Sequence, residues 1–344
     1  MAKKFDVVIG NPPYQEEAQG GGTRDMPIYH RFMDAAYEVG NKVVLITPAR
    51  FLFNAGFTPK AWNERMLADA HLAVPHYVPN SGELFPGTDI KGGVAVTYRD
   101  RAEAGEPIGT FTKYPELNDI LHRVAALGAP SIESQVTTGR SFRYTQRMHD
   151  ENPQAAALMS SDAQFQVSTN AFENVAFLFY DELPHDGHEY IKVLGRVQSR
   201  RVFRWIRRDY FAGPDNLRKF KVAISKVNGS GALGEVLVSP VVLGPDVGVT
   251  YTFITIGAFE IQNEADACRK YISTKFARAM LGVRKVTQDN KRHVWKYVPS
   301  QDFTSSSDVD WSKSIPEIDA QLYSKYGLDA AEIEFIESHI KPME

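Results

Sequence analysis

The first hundred residues alternate short apolar runs with stretches of helical spacing. Residues 5–9 (FDVVI) and 42–47 (KVVLIT) read as short buried strands, the second ended by Pro48. Between them, from Pro27 to Val39, the apolar residues Ile28, Phe32, Ala35, Ala36 and Val39 recur at the period of a helix. The run FTPKAWNERMLAD predicts a second helix, with Thr58 as N-cap and Pro59 in its first position. Residues 74–78 and 93–98 predict further strands. Buried strands alternating with helices are the pattern of a parallel, doubly wound α/β layer.

The pattern changes after Glu106. Residues 107–185 mix helical stretches with polar loops, and 190–260 read as short strands and hairpins with basic helices between them. The stretch 263–282 is helical again. The apolar positions Ile318, Leu322, Tyr323, Ile333, Phe335, Ile336 and Ile340 predict two acidic helices at the end. No internal repeat or low-complexity stretch interrupts this order.

Composition narrows the class. At 344 residues, 43% hydrophobic and 24% charged, the chain has room for two or three domains around sizeable cores. No apolar run approaches the ~20 residues that span a bilayer, and MAKKFDVVIG has no export signal, so no membrane is expected. Cys268 is the single cysteine, which excludes internal disulfides and a cysteine-based metal cluster and fits a reducing, cytoplasmic setting. The net charge of −3 conceals a strong asymmetry. Eleven Lys and Arg stand against Asp209 and Asp215 between Tyr190 and Lys226, and nine stand against Asp289 between Arg269 and Lys296. After Gln301 the sign reverses, with ten acidic residues and three lysines. A basic middle of this kind fits a polyanion.

The stretch richest in chemistry is G-N-P-P-Y, Gly10 to Tyr14, at the end of the first strand. An exocyclic amine on a nucleobase is a poor nucleophile because its lone pair is delocalised into the ring. The Asn11 side-chain carbonyl and a main-chain carbonyl can each accept one N–H of such an amine and favour a pyramidal nitrogen with a free lone pair. Pro12 and Pro13 fix φ and remove backbone donors that would compete for those carbonyls. Tyr14 offers a flat face on which an extruded base stacks. The plainer alternative is a proline-rich turn with Tyr14 covering the core.

FDVVIGNPPYQ resembles the catalytic motif of the adenine-N6 DNA methyltransferases of restriction–modification systems. VVLITPARFLFNAG and NSGELFPGTDIKGGVAVTYRD look like the strands and loops that follow it. YTFITIGAF, KYISTKFARAMLGVRKVTQ and VPSQDFT resemble the target-recognition region, and IDAQLYSKYGLDAAEIEFIE the C-terminal helices. The resemblance implies a partial doubly wound, Rossmann-like methyltransferase sheet over 1–115, a mixed α+β target-recognition domain over 116–300 and acidic helices over 301–344. It also implies S-adenosylmethionine as methyl donor and double-stranded DNA as substrate. Asn11 and Pro12 would hold the adenine amine, Pro13 would fix the turn and Tyr14 would stack on the base.

In that family a cofactor-binding half, with a glycine-rich turn after its first strand, precedes the Asn-Pro-Pro-Tyr strand. Here ten residues precede Asn11. The expectation is a cofactor half on another polypeptide, or one that was lost, with FDVVI left as an apolar edge; Gly10 and Asn11 are then the nearest candidates for touching the donor. The formal G-x-G-x-x-G at Gly229–Gly234 runs into EVLVSPVVL rather than a helix, and reads as a hairpin turn. Gly20–Gly22 reads as a loop over the site. A DNA-binding specificity subunit or a truncated remnant is the alternative function.

For DNA contact the sequence offers RVQSRRVFRWIRRDYF, read as a helix with Arg200, Arg204, Arg207 and Arg208 on one face, beside Arg196 and Arg201, while Val202, Trp205 and Ile206 pack inward. A second surface is expected from Lys270, Lys275, Arg278, Arg284, Lys285, Lys291 and Arg292, with Gln288 and Asn290 as base readers. His185 and His188 have no third ligand nearby in sequence, and no motif for a serine hydrolase or a metal nuclease occurs, so no metal is expected.

Overall fold

Strand β1 (Phe5–Gly10) is amphipathic across the sheet, because successive side chains in a strand point to opposite faces. Val8 packs into a core, whereas Phe5, Val7 and Ile9 remain 55%, 50% and 76% exposed. The structure, a computed structural model, describes residues 5–16, 25–55, 57–90, 92–285 and 287–343, so the expected Gly20–Gly22 loop lies outside the described residues. The chain divides into a unit of residues 1–118 and a unit of residues 119–344, with the division inside helix α3 (Pro115–Ala126).

The first unit holds β1, the two-residue strands β2 (Gln15–Glu16) and β3 (Met26–Pro27), α1 (Tyr29–Val39), β4 (Gly40–Pro48), α2 (Lys60–Leu67), β5 (Leu72–Val78) and β6 (Val94–Asp100). Its main sheet runs in the order β1-β4-β6-β5. Of its bonded neighbours only β1 and β4 pair parallel, with Val8 beside Val43 and Gly10 beside Leu45, while β5 runs in the same direction beyond β6. β6 lies antiparallel to both β4 and β5, which corrects the expected all-parallel layer. The reason is the connection: α1 provides the crossover that a parallel pair requires, but the described residues of 79–93 hold one short turn, Ser81–Glu83, and no crossover helix.

Tyr29 and Met33 of α1, Val43 and Leu45 of β4, and Trp62 and Met66 of α2 share one core with Phe51 and Leu52. Each such side chain contributes about 1.5–3 kcal/mol on burial. Both helices therefore cover one face of the sheet. Trp62 also donates to the Asp34 carboxylate at 3.1 Å, which ties α2 to α1. Pro59 is the N-cap of α2 and not its first residue; Thr58 instead donates to the Asn63 side chain at 2.7 Å.

The second unit contains β7 (Val136–Thr138), β8 (Arg143–Tyr144), α4 (Gln146–Glu151), α5 (Ala171–Asn174), β9 (Tyr190–Val197), β10 (Arg200–Arg207), β11 (Phe211–Ala212), β12 (Phe220–Ser225), β13 (Val241–Leu243), β14 (Val247–Val249) and β15 (Phe253–Phe259). Helices α6 (Gln262–Ser273), α7 (Lys275–Gly282), α8 (Ile315–Lys325) and α9 (Ala330–His339) follow. One sheet is antiparallel in the order β13-β12-β15-β7, a second runs β10-β9-β14, and α6 packs across β12, β13 and β15. The expected helical run 263–282 is two helices, broken at Thr274, whose hydroxyl caps α7 by accepting from the Ala277 N–H. The acidic helices at the end are α8 and α9, each opened by a capping box.

The arginine segment is not a helix. Arg200–Arg207 pairs antiparallel with Tyr190–Val197 through a two-residue turn, Gln198-Ser199, in which both residues have positive φ (46° and 65°). That turn matches the twist of a hairpin. Val202, Arg204 and Ile206 then lie on one face and Arg201, Phe203, Trp205 and Arg207 on the other, so the expected common face of arginines does not exist. No described helix is long and apolar enough to cross a membrane.

Candidate functional site

Asn11 begins where β1 ends, beside the last residues of its parallel neighbour β4, so the site opens at the carboxyl ends of a parallel pair. Asn11 and Pro13 are exposed and Pro12 and Tyr14 half-buried. The main chain beyond is clamped: Ile28 N–H donates to the Tyr14 carbonyl at 3.1 Å, and Gln15 and Glu16 pair with Pro27 and Met26. The Gln15 amide adds a 2.8 Å bond to Asp25.

Asn11, Pro12, Pro13 and Tyr14 line one side of a cavity of about 1050 Å³. Its other walls come from Tyr29 of α1, from Pro48 and Arg50 at the end of β4, and from Phe57, Phe85 and Thr88–Ile90. The segment 79–93 is folded on itself to reach there. Ser81 accepts from the Ile90 N–H at 2.8 Å and donates to the Thr88 carbonyl, while the Thr88 hydroxyl donates to the Phe85 carbonyl at 2.7 Å. Gly93 closes it with φ +76°, and a Cβ there would stand 2.3 Å from the Val78 carbonyl oxygen. Phe85, Tyr29 and Arg50 carry no local signal of a site; only the fold brings them to Asn11.

Burial raises the Tyr14 phenol above its ordinary pKa, and the nearby Asn11 side chain pulls it partly back. The phenol oxygen is shut off from solvent without a hydrogen bond of sound geometry. Burial likewise pushes Tyr29 to about 12. At neutral pH both rings are uncharged. The site thus offers an amide, a main-chain carbonyl freed of competing donors and flat neutral rings. It can hold a planar heterocycle with an amino group, and the Asp25 and Asp89 carboxylates also line the cavity.

The glycine-rich turn of the second unit does not fit a cofactor cradle. The single formal G-x-G-x-x-G turn holds the chain's own Glu235: Ser230 N–H, Ser230 hydroxyl and Gly231 N–H donate to its carboxylate at 2.7–3.0 Å. A Cβ on Gly229 would collide with that carboxylate. These bonds and the Lys285 ammonium hold Glu235 at a pKa of about 2, so an external anion finds this turn filled. Nor do any three His, Cys, Asp or Glu side chains group to hold a metal ion among the described residues.

Most of the expected DNA-facing cations have partners within the second unit. Arg196 donates to Ser225 at 2.7 Å, Arg201 to the carbonyls of Val238 and Ser239, and Arg208 to the Phe211 carbonyl. Arg204 pairs with Asp181 and the Phe172 carbonyl, and Arg207 with Asp209 and Glu151. Lys275 binds Glu337, and Arg278, Lys285 and Asn290 are buried, so they form no second surface with base readers. Arg200, Gln288 and Lys291 are exposed; Lys291 also pairs with Asp289 at 2.8 Å.

A comparison with curated proteins gave no match. Among solved structures the chain is similar to the type IIG restriction endonuclease BpuSI, at 9% identity and a TM-score of 0.33, with 97% of this chain and 53% of that one covered. It is similar also to the type IIL restriction-modification enzyme MmeI in complex with DNA, at 11% identity and the same TM-score, with 97% and 56% covered. The chain spans about half the length of those structures. At that score the likeness carries no argument here. Residues 1–85, which contain Asn11–Tyr14 and Phe85, match the model of the Eco57I restriction-modification methylase family, and in that segment the chain is similar to a methylase.

Proposed function

We propose that this chain carries the base-binding and target-reading parts of a site-specific DNA methyltransferase that modifies adenine N6 with S-adenosylmethionine as donor. The observation that carries the reading is Asn11-Pro12-Pro13-Tyr14 at the carboxyl end of a parallel strand, opening on a cavity also walled by Phe85. Asn11 Oδ1 and the Pro12 carbonyl each accept one N–H of the amine. The nitrogen lone pair, withdrawn from the ring, then points out of the base plane. The Tyr14 ring stacks on the extruded base. S-adenosylmethionine, when bound, supplies an electrophilic methyl group on sulfur. As the bond to nitrogen formed, the methyl's bond to sulfur would break with its electron pair left on sulfur as a neutral thioether, and the nitrogen would then release one proton to solvent.

We assign the binding of that donor to further structure beside β1, which is an outer strand of the sheet among the described residues. A non-catalytic DNA-binding subunit is the second reading. The deciding measurement is transfer of labelled methyl groups to duplex DNA by the chain together with a methyltransferase cofactor half, for wild type and Asn11→Ala. Loss of transfer on Asn11→Ala with DNA binding retained is the expected result. Undiminished transfer by Asn11→Ala sinks the catalytic assignment.

A further inference from the structure

Away from the Asn11 cavity, the second unit gathers cations around one tyrosine. The turn Gly139–Ser141 follows β7, and a Cβ on Gly139 would stand 2.8 Å from Tyr251 Cα and 2.7 Å from the Phe253 carbonyl oxygen. Only glycine lets this turn lie so close. The approach places the Arg140 guanidinium 5.2 Å from the centre of the Tyr251 ring. Lys226 follows the end of β12, and its N–H donates to the Thr252 carbonyl at 2.8 Å. Its ammonium sits 3.5 Å from the centre of the same ring. The Lys226 carbonyl accepts from the Asn290 N–H at 2.7 Å and Val227 bridges to Asp289, which brings up Lys291.

This arrangement is electrically unbalanced. Asp289, the acid of the group, is bound to Lys291 at 2.8 Å. Arg140 and Lys226 both lie against Tyr251, with no ion pair of their own among the described residues. Lys226 first, and then Arg140, hold the Tyr251 phenol below its ordinary pKa, so the phenol is a strong hydrogen donor. Three separate segments thus converge a guanidinium, an ammonium and a polarised hydroxyl, and their backbones are pinned so the charges do not spread apart. Phosphate oxygens in DNA take their contacts from these groups.

We propose that Arg140, Lys226 and Tyr251 form a clamp for a backbone phosphate of duplex DNA, with Lys291 at its side. The clamp rests on the reading of the chain as a DNA-modifying protein, but it is distinct from the Asn11 cavity and contacts no base. It replaces the arginine strand as the phosphate anchor of this unit, since most of those arginines are engaged internally.

The test is duplex binding by fluorescence anisotropy over a series of salt concentrations, for wild type, Arg140→Gln, Lys226→Gln and the double variant. Each lost contact is expected to flatten the slope of log K against log salt by about 0.9, so the double variant loses about 1.8. The loss should be equal for unrelated duplexes. Arg140→Lys with Lys226→Arg should keep the wild-type slope, which separates lost charge from lost folding. A double variant with an unchanged slope overturns the clamp. So does a loss confined to one DNA sequence, which would assign base reading instead, and so does a wild-type chain that binds no duplex. Methyl transfer by Asn11→Ala reads the Asn11 cavity and the salt slope reads the clamp, so a failure of the methyl-transfer reading is seen separately from a failure of the clamp.

Discussion

Replacing Phe5, Val7 and Ile9 together by threonine tests whether the open face of β1 is a docking surface. Full burial of a Phe, Val or Ile side chain contributes about 1.5–3 kcal/mol. In this chain the three keep 55%, 50% and 76% of their surface exposed, so they have realised less than half of that. Threonine retains the β-branched preference for strands. The triple variant should therefore unfold within about 0.5 kcal/mol per site of wild type, the usual range for exposed substitutions. The unused share, about 1–2 kcal/mol for each residue, is what a covering layer would gain. Its loss predicts that assembly with the proposed cofactor half weakens by about 3–5 kcal/mol, or roughly two to nearly four orders of magnitude in Kd. Thermal melting of the chain alone reads the first number, and sedimentation with the cofactor half reads the second. A melting temperature lowered by many degrees would show that the face is already buried in this fold. Undiminished assembly would show that nothing docks there. Either result refutes the reasoning.

Other perturbations probe the framework. Gly139→Ala forces a Cβ against three backbone atoms that cannot yield, and should destabilise the second unit by about 1–3 kcal/mol in urea unfolding; an unchanged midpoint refutes the close approach. Asp329→Ala removes a capping-box acceptor from the Glu332 N–H and should cost about 1 kcal/mol in the same assay. Cys268 is fully buried and its thiol pKa is raised by that burial, so a thiol reagent should label it only as the chain unfolds, and rapid labelling of native protein would contradict the packing. Asp100 and Glu151 have folded pKa values of about 2, set chiefly by the Ala102 N–H and the Tyr210 hydroxyl respectively. A depressed carboxyl pKa gives stability that is present above pH ~4 and lost as pH falls towards ~2, so melting temperature should drop across that window, and less steeply for Glu151→Gln.

How much of this could be read from the sequence depends on how local each feature is. The position of Asn11–Tyr14 at the end of β1, lining a cavity, was legible because the turn lies in four consecutive residues whose backbone the prolines fix. The strands β1 and β4 and the helices α1 and α2 were legible as elements, but α1 buries Tyr29 and Met33 and leaves Phe32, one of the positions that predicted it, 44% exposed. The direction of β6 was not legible, since it follows from the lack of a crossover helix in the described residues of 79–93. RRVFRWIR fits both periods: its arginines recur at helical spacing and its apolar residues nearly alternate. The turn at Gln198-Ser199 and the pairing partner Tyr190–Val197 decided for a strand, and Gln-Ser is not a typical signal for two positive φ values. Buried cations were misread for a similar reason. Arg278 and Lys285 look like surface charges, yet carbonyls hold them: Arg278 reaches those of Ser273 and Thr274, and Lys285 that of Asn228, each far from obvious in a linear reading.

The placement of Asn11 also explains why two prolines are tolerated there. In the middle of a sheet each would remove a ladder donor, so the pair must sit past the last bonded residue, Gly10. Beyond it the chain is held again at once, by the bond from Ile28 to the Tyr14 carbonyl and by the pairing of Gln15 with Pro27. Asn11–Pro13 is therefore a short span fixed at both ends with two of its φ angles locked. Such a span gains little by rearranging when a base arrives, because its entropy has already been lost on folding. The same reasoning separates the roles of its residues. Pro12→Ala or Pro13→Ala should leave the Asn11 amide in place and act by loosening the span and restoring a competing N–H, so their effect on methyl transfer should be smaller than that of Asn11→Ala. A Pro13→Ala variant as inactive as Asn11→Ala, with its fold intact, would mean that the rigidity of the turn and not the carbonyl of Asn11 carries the catalysis.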